Sequence, residues 1–137
     1  MHNRERVHNS VRKLNELSKE CNLDLADDLG MSKLQLNQLH YLKIINRIVG
    51  LTFSQFAEIL KVTKPSVTEI VNKLIKLDCV EKVRSMNDGR IYFIELTEKG
   101  RNIAQVATLA EERLVDIILQ RLNEIDINTF VSLVRKL

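Results

Sequence analysis

Between residues 64 and 77 the apolar side chains fall at Val67, Ile70, Val71 and Leu74, the i, i+3, i+4, i+7 rhythm of a helix with one buried face. The opposite side carries Pro65, Thr68, Glu69, Asn72, Lys73 and Lys76. Thr63 is placed to cap this helix, and Pro65 lies in its first turn, where a missing donor costs little. Just upstream, Thr52 with Gln55 makes a capping-box pattern that opens a shorter helix over 53–60, with Phe56, Ala57 and Leu60 turned inward. Only Lys61, Val62 and Thr63 separate the two, so the spacing predicts a helix-turn-helix.

Beyond Asp78 the period changes. Residues 80–84 and 91–96 are β-rich runs around Ser85-Met86-Asn87-Asp88-Gly89-Arg90, whose Asp-Gly pair is a strong hairpin signal. Thr97 then caps a long helix over about 98–122. Its seam of Ile103, Val106, Ala107, Ala110, Leu114, Ile117 and Ile118 is flanked by Leu109, Val115, Leu119 and Leu122. That is more apolar surface than one neighbour covers. Asp126 is the expected cap of a last helix running to Leu137, with Phe130, Val131, Leu133 and Val134 on its apolar side.

At the other end, Val7, Val11, Leu14, Leu17 and Cys21 form a thin helical stripe over about 3–21, which needs a partner helix. Residues 22–31, with Asp24, Asp27, Asp28 and Gly30, read as a loop. Ser32 with Gln35 predicts a capping box for a central helix reaching about Val49 and closed by Gly50. Leu34, Leu36, Leu39, Tyr41, Leu42, Ile44, Ile45 and Ile48 cover so much of its circumference that extensive burial is expected. The chain ends, taken together, predict a dimerisation module. The expected fold class is mainly α (α+β): a winged helix-turn-helix over 32–103, including the central helix, with dimerisation helices over 1–31 and 104–137, all in one domain.

Composition narrows the function. A length of 137 residues supports one domain with a real core. The aromatic fraction of 4%, with no Trp, disfavours base stacking on single strands. No apolar run is long enough to span a membrane and the first residues form no apolar leader, so the expected location is the cytoplasm. Net charge is only +3, but residues 61–90 hold seven basic groups against four acidic ones, while the rest of the chain balances at 14 and 14. The surplus positive charge thus lies on the helix-turn-helix and hairpin, where counterion release favours a polyanion. Short polar groups near the start of the second helix are suited to base edges, and its later lysines to phosphates.

Other chemistry is thinly supported. His2, His8 and His40 lack close metal-ligand spacing, and no Gly-rich phosphate loop or nucleophile motif appears. Neither a metal nor another cofactor is expected, and no enzymatic activity. Cys21 and Cys79 form neither a disulfide framework nor a CxxC pair. Two reduced, packed thiols are the plain reading, with redox sensing as the alternative. A winged-helix protein-interaction module without DNA binding is a further alternative, though such a module should have exchanged its basic groups for apolar or acidic ones.

Three runs carry a family resemblance: Leu51-Thr52-Phe53-Ser54-Gln55-Phe56-Ala57, then Val62-Thr63-Lys64-Pro65-Ser66-Val67-Thr68, then Asp88-Gly89-Arg90 leading to Leu96-Thr97-Glu98-Lys99-Gly100. Across about residues 50–103 the chain resembles the MarR family of transcriptional regulators. The resemblance implies a homodimer with interlocking terminal helices on a pseudo-palindromic operator of double-stranded DNA. It also implies a repressor released by a small aromatic or anionic effector. Half-sites about one helical turn apart, roughly 34 to 36 Å, follow from two-fold symmetry. Carried over by position, Thr63, Lys64, Pro65, Ser66, Thr68, Glu69, Asn72, Lys73 and Lys76 belong to the recognition helix and its cap. Arg84 is a candidate phosphate contact, Arg90 the wing arginine of the minor groove, and Asp88 the acid that orients it. Asp78 departs from the family's usual Gly. A family-type effector pocket would involve the region of His40, Tyr41 or Arg47.

Overall fold

The computed structural model describes residues 2–21, 30 and 33–137. They form α1 (Asn3–Glu20), α2 (Leu36–Arg47), α3 (Phe53–Leu60), α4 (Lys64–Lys76), β1 (Val80–Arg84), β2 (Tyr92–Leu96), α5 (Glu98–Arg121) and α6 (Glu124–Val134). The chain divides into two compact units, one of residues 1–23 with 108–137 and the other of residues 24–107.

The second unit holds the helix-turn-helix and the hairpin. Phe56, Leu42, Leu51, Leu74, Ile94, Ile103, Val67 and Val71 are fully buried there, so the inward stripes of α2 to α5 and of β2 form one core. Tyr41 meets the Phe56 ring edge-on, with centroids 6.0 Å apart at 89°. The strands pair antiparallel from Val80 with Leu96 to Arg84 with Tyr92. Leu51 extends the sheet, because its carbonyl accepts from the Ile94 amide at 2.8 Å and Thr52 bridges Phe93. The segment just ahead of α3 is thereby tied to the hairpin.

Several expected boundaries move. The central helix starts at Leu36, with Gln35 as cap and its amide donating to Gln38 Oε1 at 2.8 Å. The proposed cap Ser32, and the loop expected at 22–31 except Gly30, lie outside the described residues. At its far end α2 stops at Arg47, since Ile48 is extended and Gly50 takes a left-handed φ of 69°. Its expected burial is only partial: Leu42 and Ile45 are buried, but Leu36 is 85% exposed. An apolar circumference marks surface that wants cover, and one unit covers only one side of it. The second strand begins at Tyr92 rather than Ile91, because the Ile91 amide closes the turn on the Asp88 carbonyl at 3.0 Å.

In the first unit, α6 is capped by Asn123, whose Oδ1 accepts from the Asp126 amide at 2.8 Å. Asp126 is therefore the group that is capped, three residues inside the position expected of it. Leu17 and Cys21 are buried, whereas α6 has no buried residue and Val7, Val11, Leu109, Leu119 and Ile125 are exposed. This unit thus leaves many apolar side chains uncovered.

Candidate nucleic-acid interface

The turn of the helix-turn-helix is built without glycine. Lys61 takes a left-handed φ of 56°, its amide donates to the Glu58 carbonyl at 3.2 Å, and the Val62 amide reaches Ala57 at 3.1 Å. These bonds end α3 and aim the chain at Thr63. Thr63 Oγ1 accepts from the Ser66 amide at 3.3 Å and donates to Ser66 Oγ at 2.9 Å. With Pro65 in the first turn, α4 starts where its sequence places it. Val67, Val71 and Leu74 seat it on the core, so Lys64, Pro65, Thr68, Glu69, Asn72, Lys73 and Lys76 face outward. Ser66 is half-buried and engaged in the cap. Thr68 donates its hydroxyl to the Lys64 carbonyl at 3.1 Å, and Lys73 Nζ pairs with Glu69 at 3.5 Å, both largely exposed.

The far end of α4 is held by a device that the residue pattern did not reveal. Asp78 adopts a left-handed φ of 60°, which is the geometry that makes Gly common at this position. Its amide donates to Ile75 at 2.9 Å and the Cys79 amide to Leu74 at 3.0 Å. The next three carbonyls all find donors from the β2–α5 junction. Lys99 Nζ reaches Leu77 at 2.9 Å, Thr97 Oγ1 reaches Asp78 at 2.6 Å, and the Thr97 amide reaches Cys79 at 3.0 Å. Thr97 Oγ1 also accepts from the Gly100 amide at 3.0 Å, capping α5. A Cβ on Gly100 would run into the Cys79 carbonyl, so the two backbones touch only because residue 100 has no side chain. The Leu96-to-Gly100 run is thus a clamp on the end of α4. In the sequence it was legible as the Thr97 cap of α5 and as part of a family pattern, but not as a contact with the end of α4.

At the hairpin tip every polar side chain except that of Asn87 is tied to the turn. Ser85 Oγ accepts from the Asn87 and Asp88 amides at 3.2 Å each. Asp88 Oδ1 accepts from the Arg90 amide at 3.0 Å and from Arg90 Nε at 3.3 Å. One carboxylate oxygen therefore holds both the backbone and the start of the guanidinium. Arg90 is still 92% exposed and points its terminal nitrogens outward for another acceptor. Arg84 lies back across the tip, its Nε donating to the Gly89 carbonyl at 2.9 Å. On β1, Lys82 Nζ sits 5.7 Å from the centre of the Phe53 ring.

Burial pushes the Cys79 thiol above its ordinary pKa; nearby Lys99 opposes that and Asp78 adds to it. Such a thiol is mostly protonated at neutral pH and a poor nucleophile. Cys21 is also free and buried. Among the described residues no three His, Cys, Asp or Glu side chains are grouped to hold a metal ion, and no helix is long and apolar enough to cross a membrane. His40 and Arg47 are exposed, and Tyr41 is half-buried against Phe56.

A capped outward helix, a three-residue turn and a hairpin with an arginine at its tip define a winged helix-turn-helix protein. Residues 29–91 match the MarR family model. The chain is 28% identical over 96 residues to YwhA of Bacillus subtilis strain 168, an uncharacterized HTH-type transcriptional regulator, covering 70% of this chain and 69% of that protein. It superposes on Streptococcus pneumoniae FabT in complex with DNA with a TM-score of 0.76 at 23% identity, over 98% of this chain and 94% of that one. With S. aureus MepR in a DNA complex the TM-score is 0.69 at 17% identity, over 99% and 96%. At such identities these likenesses establish the fold. The chain is thus similar to the MarR family across residues 29–91 and shares the winged helix-turn-helix fold of these neighbours.

Proposed function

We propose that this protein is a sequence-specific regulator of transcription that binds double-stranded DNA as a homodimer. The observation that carries the reading is the pairing of α4, capped at both ends with its polar face open, with a wing whose Arg90 is held by Asp88 yet exposed. In this reading Thr63, Lys64, Pro65, Ser66 and Thr68 bring the start of α4 to the major groove. Glu69 and Asn72 lie along the base edges, Lys73 and Lys76 meet phosphates, and Arg90 enters the minor groove. The uncovered apolar side chains of α1, α5 and α6 favour a second copy of the chain as their cover, with the first unit as dimerisation module. Repression relieved by a small aromatic or anionic effector fits the family, as do FabT and MepR, whose structures are DNA complexes. A non-enzymatic role acting on the chromosome places the protein in the cytoplasm.

The protein-interaction alternative is disfavoured by the retained basic groups of α4 and the wing. Redox sensing through Cys79 is disfavoured by its burial and raised pKa. Selection of bound duplexes from a randomised pool should yield a two-fold-symmetric site. Arg90→Ala should weaken binding to that site by on the order of 1 to 3 kcal/mol and leave the dimer intact. Unchanged affinity at fixed salt would remove Arg90 from the interface.

A further inference from the structure

We infer that Arg84 is a positioning residue: its guanidinium latches the wing tip so that Arg90 is presented to DNA in one geometry. The inference rests on the reading of Arg90 as the groove contact and adds a residue that acts through it. Arg84 Nε donates to the Gly89 carbonyl at 2.9 Å. The same guanidinium fills the space beside Gly89, where a Cβ would lie 2.7 Å from a terminal nitrogen and 3.1 Å from Nε.

Gly89 is not among the positive-φ glycines, so backbone freedom does not require a glycine there. A Cβ there would instead push the Arg84 guanidinium out of its present place. The Gly89 carbonyl belongs to the peptide unit whose amide is that of Arg90, and that amide donates to Asp88 Oδ1 at 3.0 Å. One peptide group is thus gripped on both sides, by Arg84 at its oxygen and by Asp88 at its nitrogen. Together with the Ser85 hydroxyl under the Asn87 and Asp88 amides, this leaves the residue that carries the Arg90 side chain little freedom to turn. Ordering a long side chain before binding removes an entropic cost from the binding step. A phosphate contact by Arg84 would need neither the bond to the Gly89 carbonyl nor the packing against Gly89, since a cation reaches phosphate as a point charge.

The two roles separate in variants that keep all charges. Arg84→Lys retains a cation for phosphate but loses the planar guanidinium that both donates to the Gly89 carbonyl and fills the space beside it. Gly89→Ala displaces that guanidinium and leaves Arg84 in the chain. Affinity is measured at fixed salt on a short duplex selected from a randomised pool by the wild-type protein, in wild-type and Arg90→Ala backgrounds. Amide 15N relaxation of residues 87–91 is followed in the free protein.

As a latch, each change weakens binding about two- to tenfold, the two together weaken it no more than either alone, and the loss vanishes once Arg90 is Ala. The tip amides also become more mobile in both variants. Wild-type affinity for either variant, or a loss that persists without Arg90, overturns the latch. Wild-type affinity for Arg90→Ala itself is a different result: it removes the wing contact on which the latch depends.

Discussion

Replacing Gly100 by Ala separates two physical expectations of opposite sign. Gly100 lies in the first turn of α5, and in helices Ala is favoured over Gly by up to about 1 kcal/mol. Propensity alone therefore predicts a small gain. The added methyl, however, would collide with the Cys79 carbonyl oxygen, and would stand 2.9 Å from its carbon and 3.2 Å from the Cys79 Cα. All three are backbone atoms, so no rotamer change relieves the clash. The start of α5 must move away from the turn after α4, which also stretches the bond from the Thr97 amide to that carbonyl, now 3.0 Å. Overpacking near the top of its usual range, about 3 kcal/mol, plus a lost hydrogen bond of about 1 and minus the propensity gain, leaves a net loss of roughly 3 kcal/mol. Denaturant unfolding followed by circular dichroism at fixed protein concentration measures it. A neutral or stabilised Gly100→Ala would show that the clamp does not hold α4 as described.

The two left-handed residues that close the helices of the helix-turn-helix are next. Asp78→Gly should stabilise by about 0.5 to 1 kcal/mol, and Lys61→Gly by at least as much, because Lys lacks the short polar side chain that eases left-handed geometry for Asp; a loss in either unfolding midpoint contradicts this. Lys73→Ala should lower affinity for all duplexes alike and reduce the slope of log affinity against log salt by about one; a sequence-selective loss with an unchanged slope would make Lys73 a base reader. The folded-state pKa of Cys79 is raised, so the folded protein holds this proton more tightly than the unfolded chain. That contribution is fully present below the ordinary thiol pKa of about 8.5 and is lost as pH rises through the folded value. Stability should therefore fall on the alkaline side in the wild type and fall less in Cys79→Ala, and equal slopes would refute the assignment.

Much of the second unit was legible from local rules. Thr52 with Gln55, Thr63 with Pro65, and the Val67-to-Leu74 stripe all act over a few residues, and α3 and α4 begin where those signals place them. Asp-Gly marked the hairpin and its two strands, while the register from Val80–Leu96 to Arg84–Tyr92 came from the structure. Boundaries failed where the competing partners were equally local and equally plausible. Gln35 rather than Ser32 precedes the described α2, and Asn123 rather than Asp126 caps α6. Local hydrogen bonding permits Asn123 and Asp126 alike as a cap, so the residue pattern alone does not choose between them.

By itself, then, the order of residues determined the elements, the polar face of α4 and the location of the surplus charge, because helix caps, apolar periodicity and turn chemistry act between near neighbours. Tertiary structure decided what Thr97, Lys99 and Gly100 do for Leu77, Asp78 and Cys79, about twenty positions away. It also decided that Arg84 turns back onto Gly89 while Arg90 stays outward. Those outcomes depend on which backbone carbonyls lie within about 3 Å of a donor once the core has formed, a distance that spacing along the chain does not encode.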